Sequence, residues 1–332
     1  MSGVKNKTDP QIVRTMDAHT YPLPTRPTMY FIGVTTSQSA IMRIFPAWAR
    51  LLHLGDCEIR GIDFVPHDEP HRYRDAVAFI KANPLALGAL VTTHKIDLLA
   101  ACRDQFDRLD KHAELMGEIS SISKRDGQLI GSAKDPITAG LALESFLPKR
   151  HWESSGASVL VLGAGGSARA ITWYLMKPEH GENRPRKIIV VNRSQRRLVE
   201  MQNLHHRLGL SAGVEYHHVH GPEEADKLVS SLPPGSLVIN ATGLGKDAPG
   251  SPLTDSVVFP ERGFIWDFNY RGDLGFLRQA RAQQQQRCLA IEDGWAYFIY
   301  GWTSVMAEVF AIDIPTAGPL FEELSSVARS LK

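Results

Sequence analysis

The chain has almost no net charge, because its 332 residues include 37 Lys and Arg against 36 Asp and Glu. A protein that binds nucleic acid or an anionic membrane surface through electrostatics carries a clear excess of basic residues. We therefore expect neither kind of partner, and a small molecule is the more natural ligand.

Cysteine is scarce, and long apolar runs are absent. Cys57, Cys102 and Cys288 lie far apart, without the spacing of a disulfide framework or a structural zinc site. No run approaches the roughly 18 apolar residues of a membrane-spanning helix, and the polar N-terminal segment lacks the apolar core of a signal peptide. We therefore expect reduced thiols, no bound metal and a cytoplasmic location.

The length exceeds what one domain usually reaches, so two domains are expected. Residues 1–27 show no periodicity and are interpreted as an extension. Strands predicted at 29–34, 57–64 and 87–92 then alternate with helices predicted at 41–52, 73–81 and 96–101. This alternation is typical of an α/β fold with a mostly parallel sheet.

A second alternation follows a polar loop at 147–156. Its strands are predicted at 158–162, 187–191, 237–241 and 263–268, and its first helix at 168–175. We therefore predict a substrate-binding domain at 28–148, completed by two C-terminal helices within 290–332, and a nucleotide-binding domain at 149–289.

A glycine-rich turn follows the strand at 158–162 and matches the G-x-G-x-x-G/A pattern. The first glycine permits a tight turn, the second lets the backbone approach a pyrophosphate, and the small third residue lets helix and strand pack closely. The pattern predicts a dinucleotide-binding Rossmann fold, and a plain glycine-rich turn is the alternative. The expected cofactor contacts are Gly163, Ala164, Gly165, Gly166, Ser167 and Ala168.

The residues after the strand at 187–191 indicate which dinucleotide binds. An NAD site usually has Asp or Glu here for the ribose 2′-hydroxyl, whereas a 2′-phosphate needs cations. Residues 192–197 read NRSQRR, without an acid, and arginines donate charge-assisted hydrogen bonds to phosphate. NADP is therefore preferred over NAD, unless this is only the basic first turn of a solvated helix. The expected contacts are Asn192, Arg193, Ser194 and Arg197.

Several motifs, taken in order from residue 29 onward, resemble those of the shikimate dehydrogenase family. They are Ser37-x-Ser39, Val91-Thr92 with Lys95, Gly131 with Asp135, GAGGSARA at 163–170, NRS at 192–194, NATGLG at 240–245, Asp267 with Tyr270, and the glycine-aromatic segment 294–302. Each motif is common, but their collinear order and spacing are specific.

The resemblance implies a catalytic domain joined to an NADP-binding Rossmann domain, with hydride transfer between the nicotinamide and a ring hydroxyl or ketone in the cleft. It implies that Lys95 and Asp135 flank the reacting hydroxyl and that Ser37 and Ser39 bind the substrate carboxylate. The other substrate contacts it implies are Thr92, Ser120, Tyr270, Asp293 and Tyr297. The other cofactor contacts it implies are Asn240, Ala241, Thr242, Gly243 and Gly294.

The chemistry of alcohol oxidation favours the same pair. The alcohol must lose a proton as the hydride leaves, and a cation stabilises the developing alkoxide in the reverse reaction. A partly desolvated Lys95 can serve both directions while Asp135 orients it. Without the family, Lys95 reads as a solvated loop lysine, Asp135 as a helix cap, and Ser39 as the N-cap of the next helix.

The chain departs from the family where side chains read the substrate hydroxyls. Leu90 and Ser120 each stand where the family has Asn, Ala133 and Lys134 replace Asn and Thr, and Asp293 replaces Gln. A site that hydrogen-bonds a hydroxyl can discriminate by about 10⁴-fold or more, whereas an apolar wall cannot. We therefore expect the same reaction on a different hydroxylated, cyclic carboxylate. Lys134 and Asp293 could pair with each other, meet a substrate substituent or point to solvent.

Other functions stay open at this point. One is a true shikimate or quinate dehydrogenase, and another is a non-catalytic NADP(H)-binding sensor, which would not need both Lys95 and Asp135. A homodimer is also left open. His94 reads as a loop histidine or as a proton shuttle to Lys95. The histidines at 217, 218 and 220 predict a surface strand rather than a metal site.

Overall fold

The computed structural model describes residues 21–211, 213–246 and 248–332, so most of the predicted extension lies outside the described residues. The described chain forms two six-stranded sheets, each covered by helices. The strands are β1 Thr28–Gly33, β2 Glu58–Asp63, β3 Ala86–Val91, β4 Arg108–Leu109, β5 Ser121–Arg125, β6 Gln128–Ser132, β7 Val159–Leu162, β8 Ile188–Asn192, β9 Val214–His218, β10 Leu237–Asn240, β11 Phe264–Asp267 and β12 Ala290–Glu292.

Helices connect and cover the strands in both halves. They are α1 Ile41–Leu51, α2 Pro70–Ala82, α3 Lys95–Cys102, α4 Lys111–Met116, α5 Asp135–Glu144, α6 His151–Ser155, α7 Gly166–Met176, α8 Gln195–Arg207, α9 Pro222–Ser230, α10 Gly275–Arg287, α11 Trp295–Phe310 and α12 Pro319–Ser330. The helices predicted from periodicity all form, and their ends differ from the predicted ones by at most three residues.

The second sheet is entirely parallel, with the order β9-β8-β7-β10-β11-β12. This is the strand order of a dinucleotide-binding Rossmann sheet, whose ligands bind where the order reverses, between β7 and β10. Valine, isoleucine and leucine dominate β7, β8 and β10, which are buried on both faces.

The first sheet is mixed rather than parallel throughout. Its order is β2-β1-β3-β5-β6-β4; β1, β2 and β3 run parallel, whereas β5 pairs antiparallel with both β3 and β6. A tight turn at Asp126 and Gly127, both with positive φ, joins β5 to β6. The α/β class is confirmed, and the hairpin is the part that alternation did not predict.

The C-terminal helices pack against the first sheet. Phe298 and Trp302 of α11 belong to one buried cluster with Met29 and Phe31 of β1. The indole Nε1 of Trp48 in α1 donates a 2.9 Å hydrogen bond to the carbonyl of Leu324 in α12. The last helix of the chain is therefore fixed to the half that contains β1.

Candidate active site

A cleft of about 630 Å³ runs between the carboxyl ends of the strands of both sheets. One wall comes from the first sheet and from α11, and the other wall comes from the glycine-rich turn and the loops after β8, β10 and β11. Most of the predicted site residues line this cleft: Ser39, Thr92, Lys95, Ser120, Asp135, Gly163, Ala164, Gly165, Gly166, Ser167, Asn192, Arg193, Arg197, Ala241, Thr242, Gly243, Tyr270, Gly294 and Tyr297.

Lys95 and Asp135, 40 positions apart in sequence, form an ion pair at the bottom of this cleft. Lys95 is the first residue of α3, after a turn in which Thr93 has φ 56°, and Asp135 is the first residue of α5. The pair is nearly buried, with 12 % of the lysine and 7 % of the aspartate side chain exposed. Asp135 therefore makes a tertiary ion pair rather than acting as a helix cap.

Tyr297 of α11 completes the group around Asp135. Its hydroxyl donates a 2.8 Å hydrogen bond to Oδ2 of Asp135, the oxygen that also pairs with Lys95. Burial and the neighbouring Asp135 charge raise the pKa of the Tyr297 phenol well above its usual value. The phenol is therefore a hydrogen-bond donor at any physiological pH.

The Lys95 ammonium is held in its charged form. Burial alone would lower its pKa, but the carboxylates of Asp135 and Glu118 outweigh burial and raise the pKa above the usual value. Near neutral pH, Lys95 can therefore donate a proton or a hydrogen bond to an oxygen in the cleft, but it cannot accept a proton until it has lost its own.

Glu118 is a buried carboxylate that the sequence did not single out. It is completely buried, and neither of its oxygens has a hydrogen-bond partner. Burial, opposed by the Lys95 charge, raises its pKa to about 7. Glu118 lies in a polar run, GEISS, that gives no sign of its burial.

The wall of the cleft opposite the glycine-rich turn is largely apolar. Phe31, Leu90, Phe298, Trp302 and Val305 line it and belong to one buried cluster. Polar side chains on the same side include Ser39, Thr92, Ser120 and Tyr297. Ser39 is buried and shares a 3.2 Å hydrogen bond with the Tyr270 hydroxyl, so it is not the N-cap of α1, which is Ala40.

The glycine-rich turn has the close approaches that its pattern predicts. Gly163 has φ 116°, and a Cβ there would lie 2.7 Å from the carbonyl oxygen of Ala241. A Cβ on Gly165 would meet no protein atom within 4 Å, although Gly165 lines the cleft. Gly163 is thus required by the fold, whereas the bare backbone at Gly165 leaves room for a ligand at the N-terminus of α7.

Arginines lie beyond β8, where the cofactor ribose is expected. Arg193 is exposed at the rim of the cleft, and Arg197 also lines it. Arg197 is 3.4 Å from Glu200, which also accepts hydrogen bonds from Arg169 and Arg196. One carboxylate shared by three guanidinium groups leaves net positive charge, which fits a phosphate ligand.

Five predicted site residues do not line the cleft. Ser37 is exposed outside it, so only one serine of the predicted carboxylate clamp faces the cavity. Ala168 is buried beneath the turn, and Ser194 caps α8. Asn240 is buried, and its Oδ1 accepts a 3.1 Å hydrogen bond from the backbone amide of Thr242. Asp293 precedes the N-cap residue of α11, and its Oδ1 accepts a 2.8 Å hydrogen bond from the Trp295 amide.

The suggested pairing of Lys134 with Asp293 is wrong. Lys134 pairs with Glu308 at 2.8 Å, and Asp293 pairs with Lys332 at 2.7 Å. Neither side chain lines the cleft, so neither reads a substrate substituent. Each charge finds a nearer partner in the C-terminal part of the chain, Glu308 in α11 and Lys332 after α12, which the local sequence could not indicate.

Two further residues, His94 and Arg271, also line the cleft. The ring of His94 is buried against Phe64 and Tyr73 and bonds the Tyr73 hydroxyl at 3.0 Å, so it packs in the core beside Lys95. Arg271 lines the cleft and donates to the Thr35 hydroxyl at 3.2 Å across the two halves. Sequence reasoning missed Arg271, although it directly follows the predicted Tyr270.

Among the described residues, no cluster of three or more His, Cys, Asp or Glu side chains could hold a metal ion. Within the same ranges, no helix is long and apolar enough to cross a membrane. His217 and His218 lie at the end of β9, the edge strand of the second sheet.

No protein-family model matches the chain. An NADP(+) shikimate dehydrogenase of Symbiobacterium thermophilum is 32% identical over 216 residues, which cover 64% of this chain and 67% of that protein. An NADP(+) shikimate dehydrogenase of Streptococcus thermophilus is 25% identical over 229 residues, 68% of this chain and 73% of that one.

Solved structures share the fold over 92% of this chain. A shikimate 5-dehydrogenase from Thermus thermophilus, in complex with NADP(H) and shikimate, gives a TM-score of 0.66 at 20% identity over 99% of its chain. A 5-ketofructose reductase of a Gluconobacter strain gives 0.66 at 20% identity over 99%. At such identities the likeness establishes the two-part architecture alone.

Proposed function

The chain belongs to the shikimate dehydrogenase family, and from this membership we propose that it is an NADP-dependent oxidoreductase acting on a hydroxyl or ketone of a cyclic hydroxy-carboxylate. The observation that carries the proposal is the Lys95–Asp135 pair, which faces the glycine-rich turn across one cleft. A pair placed there can move a proton at the oxygen whose carbon exchanges a hydride.

The residues of the cleft fit NADP. Gly165 leaves space at the N-terminus of α7 for a pyrophosphate, and Arg193 and Arg197 would hold a 2′-phosphate. Thr242 and Gly243 would lie along the cofactor at the switch point between β7 and β10. The nicotinamide, when bound, supplies the hydride acceptor or donor.

The protein's own task is then to place the oxygen and control its proton. In ketone reduction, the charged Lys95 donates a proton to the oxygen that becomes a hydroxyl. In alcohol oxidation, Lys95 must first lose its proton and then takes one from the substrate hydroxyl. Asp135, held by Tyr297, fixes the direction of the ammonium group.

The proposed substrate differs from a polyhydroxylated ring because one face of it carries no hydroxyl group. Leu90 lies on the cleft wall, with Phe31 and Trp302 beside it, and none of the three can satisfy a ring hydroxyl. A buried hydroxyl without a partner costs about 1–3 kcal/mol. This wall supports a ring with one apolar face. Ser39, Tyr270 and Arg271, which also line the cleft, offer donors for a carboxylate.

Shikimate or quinate itself is the second candidate. It is favoured by the names of the sequence relatives, which are NADP(+) shikimate dehydrogenases, and by the retained donors Ser39 and Tyr270. The apolar wall argues against this candidate, because each ring hydroxyl left without a hydrogen-bond partner lowers the affinity of the protein for the substrate.

A substrate panel distinguishes the two. Purified protein would be assayed with NADP⁺ and NAD⁺ against shikimate, quinate, aminoshikimate and 3-hydroxycyclohexanecarboxylate, alongside Lys95→Ala. The proposal expects NADP⁺-dependent oxidation with the highest kcat/KM for the less hydroxylated ring, and about 10²- to 10⁴-fold loss in Lys95→Ala. Highest activity on shikimate would establish the second candidate, and full activity of Lys95→Ala would refute the mechanism.

The same proposal includes the domain division at 28–148 with 290–332 and at 149–289, a cytoplasmic location and a possible homodimer. The separate buried clusters on each sheet support the division. The three free cysteines are consistent with a reducing compartment. Sedimentation of the purified chain would establish its oligomeric state.

A further inference from the structure

Glu118 lies directly beneath the glycine-rich turn. A Cβ added to Gly166 would lie 2.1 Å from its Oε2 and 3.1 Å from its Cδ, so the carboxylate touches the backbone at the first residue of α7. Glu118 is completely buried, and both its oxygens lack hydrogen-bond partners. A buried carboxylate without hydrogen bonds is costly when ionised.

Four ionisable groups face Glu118, each from a different element. They are Lys95 of α3, Asp135 of α5, Arg169 of α7 and Tyr297 of α11. Lys95 is already paired with Asp135, and Arg169 with Glu200 at 3.1 Å. The cations near Glu118 are therefore shared with closer carboxylates, and none of them makes an ion pair with Glu118.

The N-terminus of α7 is also where the proposed cofactor would place its pyrophosphate. A permanent anion there and an ionised Glu118 would lie on opposite sides of one backbone segment. Two like charges so placed repel each other, and water between them does not screen them because Glu118 is buried. The repulsion disappears when Glu118 binds a proton.

We propose that Glu118 is the residue that links cofactor affinity to pH: the protein takes up a proton on Glu118 when the dinucleotide binds. The inference rests on the proposed function, because it requires a dinucleotide at the glycine-rich turn. Glu118 touches neither substrate nor the reacting atoms; besides helping to raise the pKa of Lys95, it tunes the affinity of the nucleotide loop.

The direction of the effect follows from the position of the titration. In the free protein, burial raises the pKa of Glu118 to about 7, so the carboxyl group is mostly protonated at pH 6 and mostly ionised at pH 8. A bound anion raises this pKa further. Binding at pH 8 therefore takes up protons, whereas binding at pH 6 takes up few.

Calorimetry measures this uptake without relying on activity. NADP⁺ would be titrated into the full-length protein at pH 6 and pH 8, each in two buffers with different ionisation enthalpies. The 2′-phosphate is fully ionised at pH 8, since its second pKa is about 6, so proton uptake there comes from the protein. A rise of one unit in the pKa of Glu118 makes the affinity about fivefold weaker at pH 8 than at pH 6, and larger rises approach a limit of about tenfold.

Two variants assign the proton. Glu118→Gln keeps the shape of the side chain and removes the titration, so uptake at pH 8 should vanish and the affinity should no longer weaken from pH 6 to pH 8. Glu114→Gln removes an exposed glutamate, 60% accessible, from the neighbouring α4 and should behave as the parent. Because the first variant removes an unpaired buried charge, it should unfold at no lower temperature than the parent at pH 8.

The outcomes separate the two proposals. Binding with proton uptake that is lost only in Glu118→Gln supports the inference. Binding without uptake in the parent, or with unchanged uptake in Glu118→Gln, overturns the inference and leaves the proposed function intact. If the parent binds neither NADP⁺ nor NADPH at either pH, both fail.

Discussion

The hydroxyl of Tyr297 lies 2.8 Å from Oδ2 of Asp135, although 162 positions of sequence separate the two residues. The bond ties α11, near the end of the chain, to the first turn of α5, the helix that follows β6 of the first sheet. Because the same carboxylate pairs with Lys95, the tyrosine fixes the direction in which the lysine can act.

Replacing this hydroxyl tests its role. Tyr297→Phe removes one hydrogen bond to a charged group, which is worth about 1.5–3 kcal/mol, so we expect kcat to fall by about tenfold or more. Tyr300→Phe is the matched control, because Tyr300 lies on the same helix and stacks on Phe321 outside the cleft. Equal kcat values for the two variants would contradict the role of Tyr297.

Lys95 predicts opposite pH dependences for the two directions of the reaction. Its pKa is raised by its carboxylate neighbours despite burial, so the neutral form needed for alcohol oxidation is scarce at pH 7. We expect kcat/KM for oxidation to rise by about tenfold per pH unit between pH 6 and 8. Ketone reduction, which uses the charged form, should stay flat over that range. Steady-state rates in both directions provide the check, and a flat oxidation profile would refute the assignment.

Two glycines of the nucleotide turn should fail in different ways when replaced by alanine. Gly163→Ala forces a Cβ against the Ala241 carbonyl at φ 116° and should lower the free energy of unfolding by about 1–3 kcal/mol. Gly165→Ala meets no protein atom, so stability should hold while NADP⁺ affinity falls. Thermal unfolding with and without NADP⁺ separates the two. If Gly165→Ala lost stability and kept its NADP⁺ affinity, the cofactor would have to bind elsewhere.

The arginines after β8 predict selectivity for a phosphate. Arg193→Ala should weaken NADP⁺ by about 10- to 100-fold, the value of a charge-assisted bond, and leave NAD⁺ unchanged. Arg196→Ala is the control, because Arg196 is 71% exposed and does not line the cleft. Titration of both dinucleotides would show it. A matched loss of NAD⁺ affinity in Arg193→Ala would mean that Arg193 does not read the 2′-phosphate.

Much of this architecture could be predicted because its signals are local. The sequence pattern of a strand before the glycine-rich turn and a helix after it identifies the turn, and β7 and α7 form where that pattern predicts. The hairpin of β5 and β6 has a local signal in Asp126 and Gly127, a residue pair that two-residue hairpin turns favour, but the mostly polar residues of β5 do not mark it as a strand. Its pairing with β3 is a long-range choice.

The cleft shows the same limit. Lys95 and Asp135 could be paired in advance only through the order of motifs, whereas Glu118 resembles any surface glutamate until α7 covers it. Ser37 illustrates the converse, because a matching motif position does not require that its side chain face the cavity. Burial and direction depend on contacts that the sequence does not display locally.

The chain passes between its two halves twice, once after α5 and again as β12 leads into α11. Two covalent crossings define a line, and a rotation of one half about that line would leave both chain connections in place. Because Tyr297 belongs to α11, close to the second crossing, such a rotation would widen the mouth of the cleft and leave its proton-handling floor assembled.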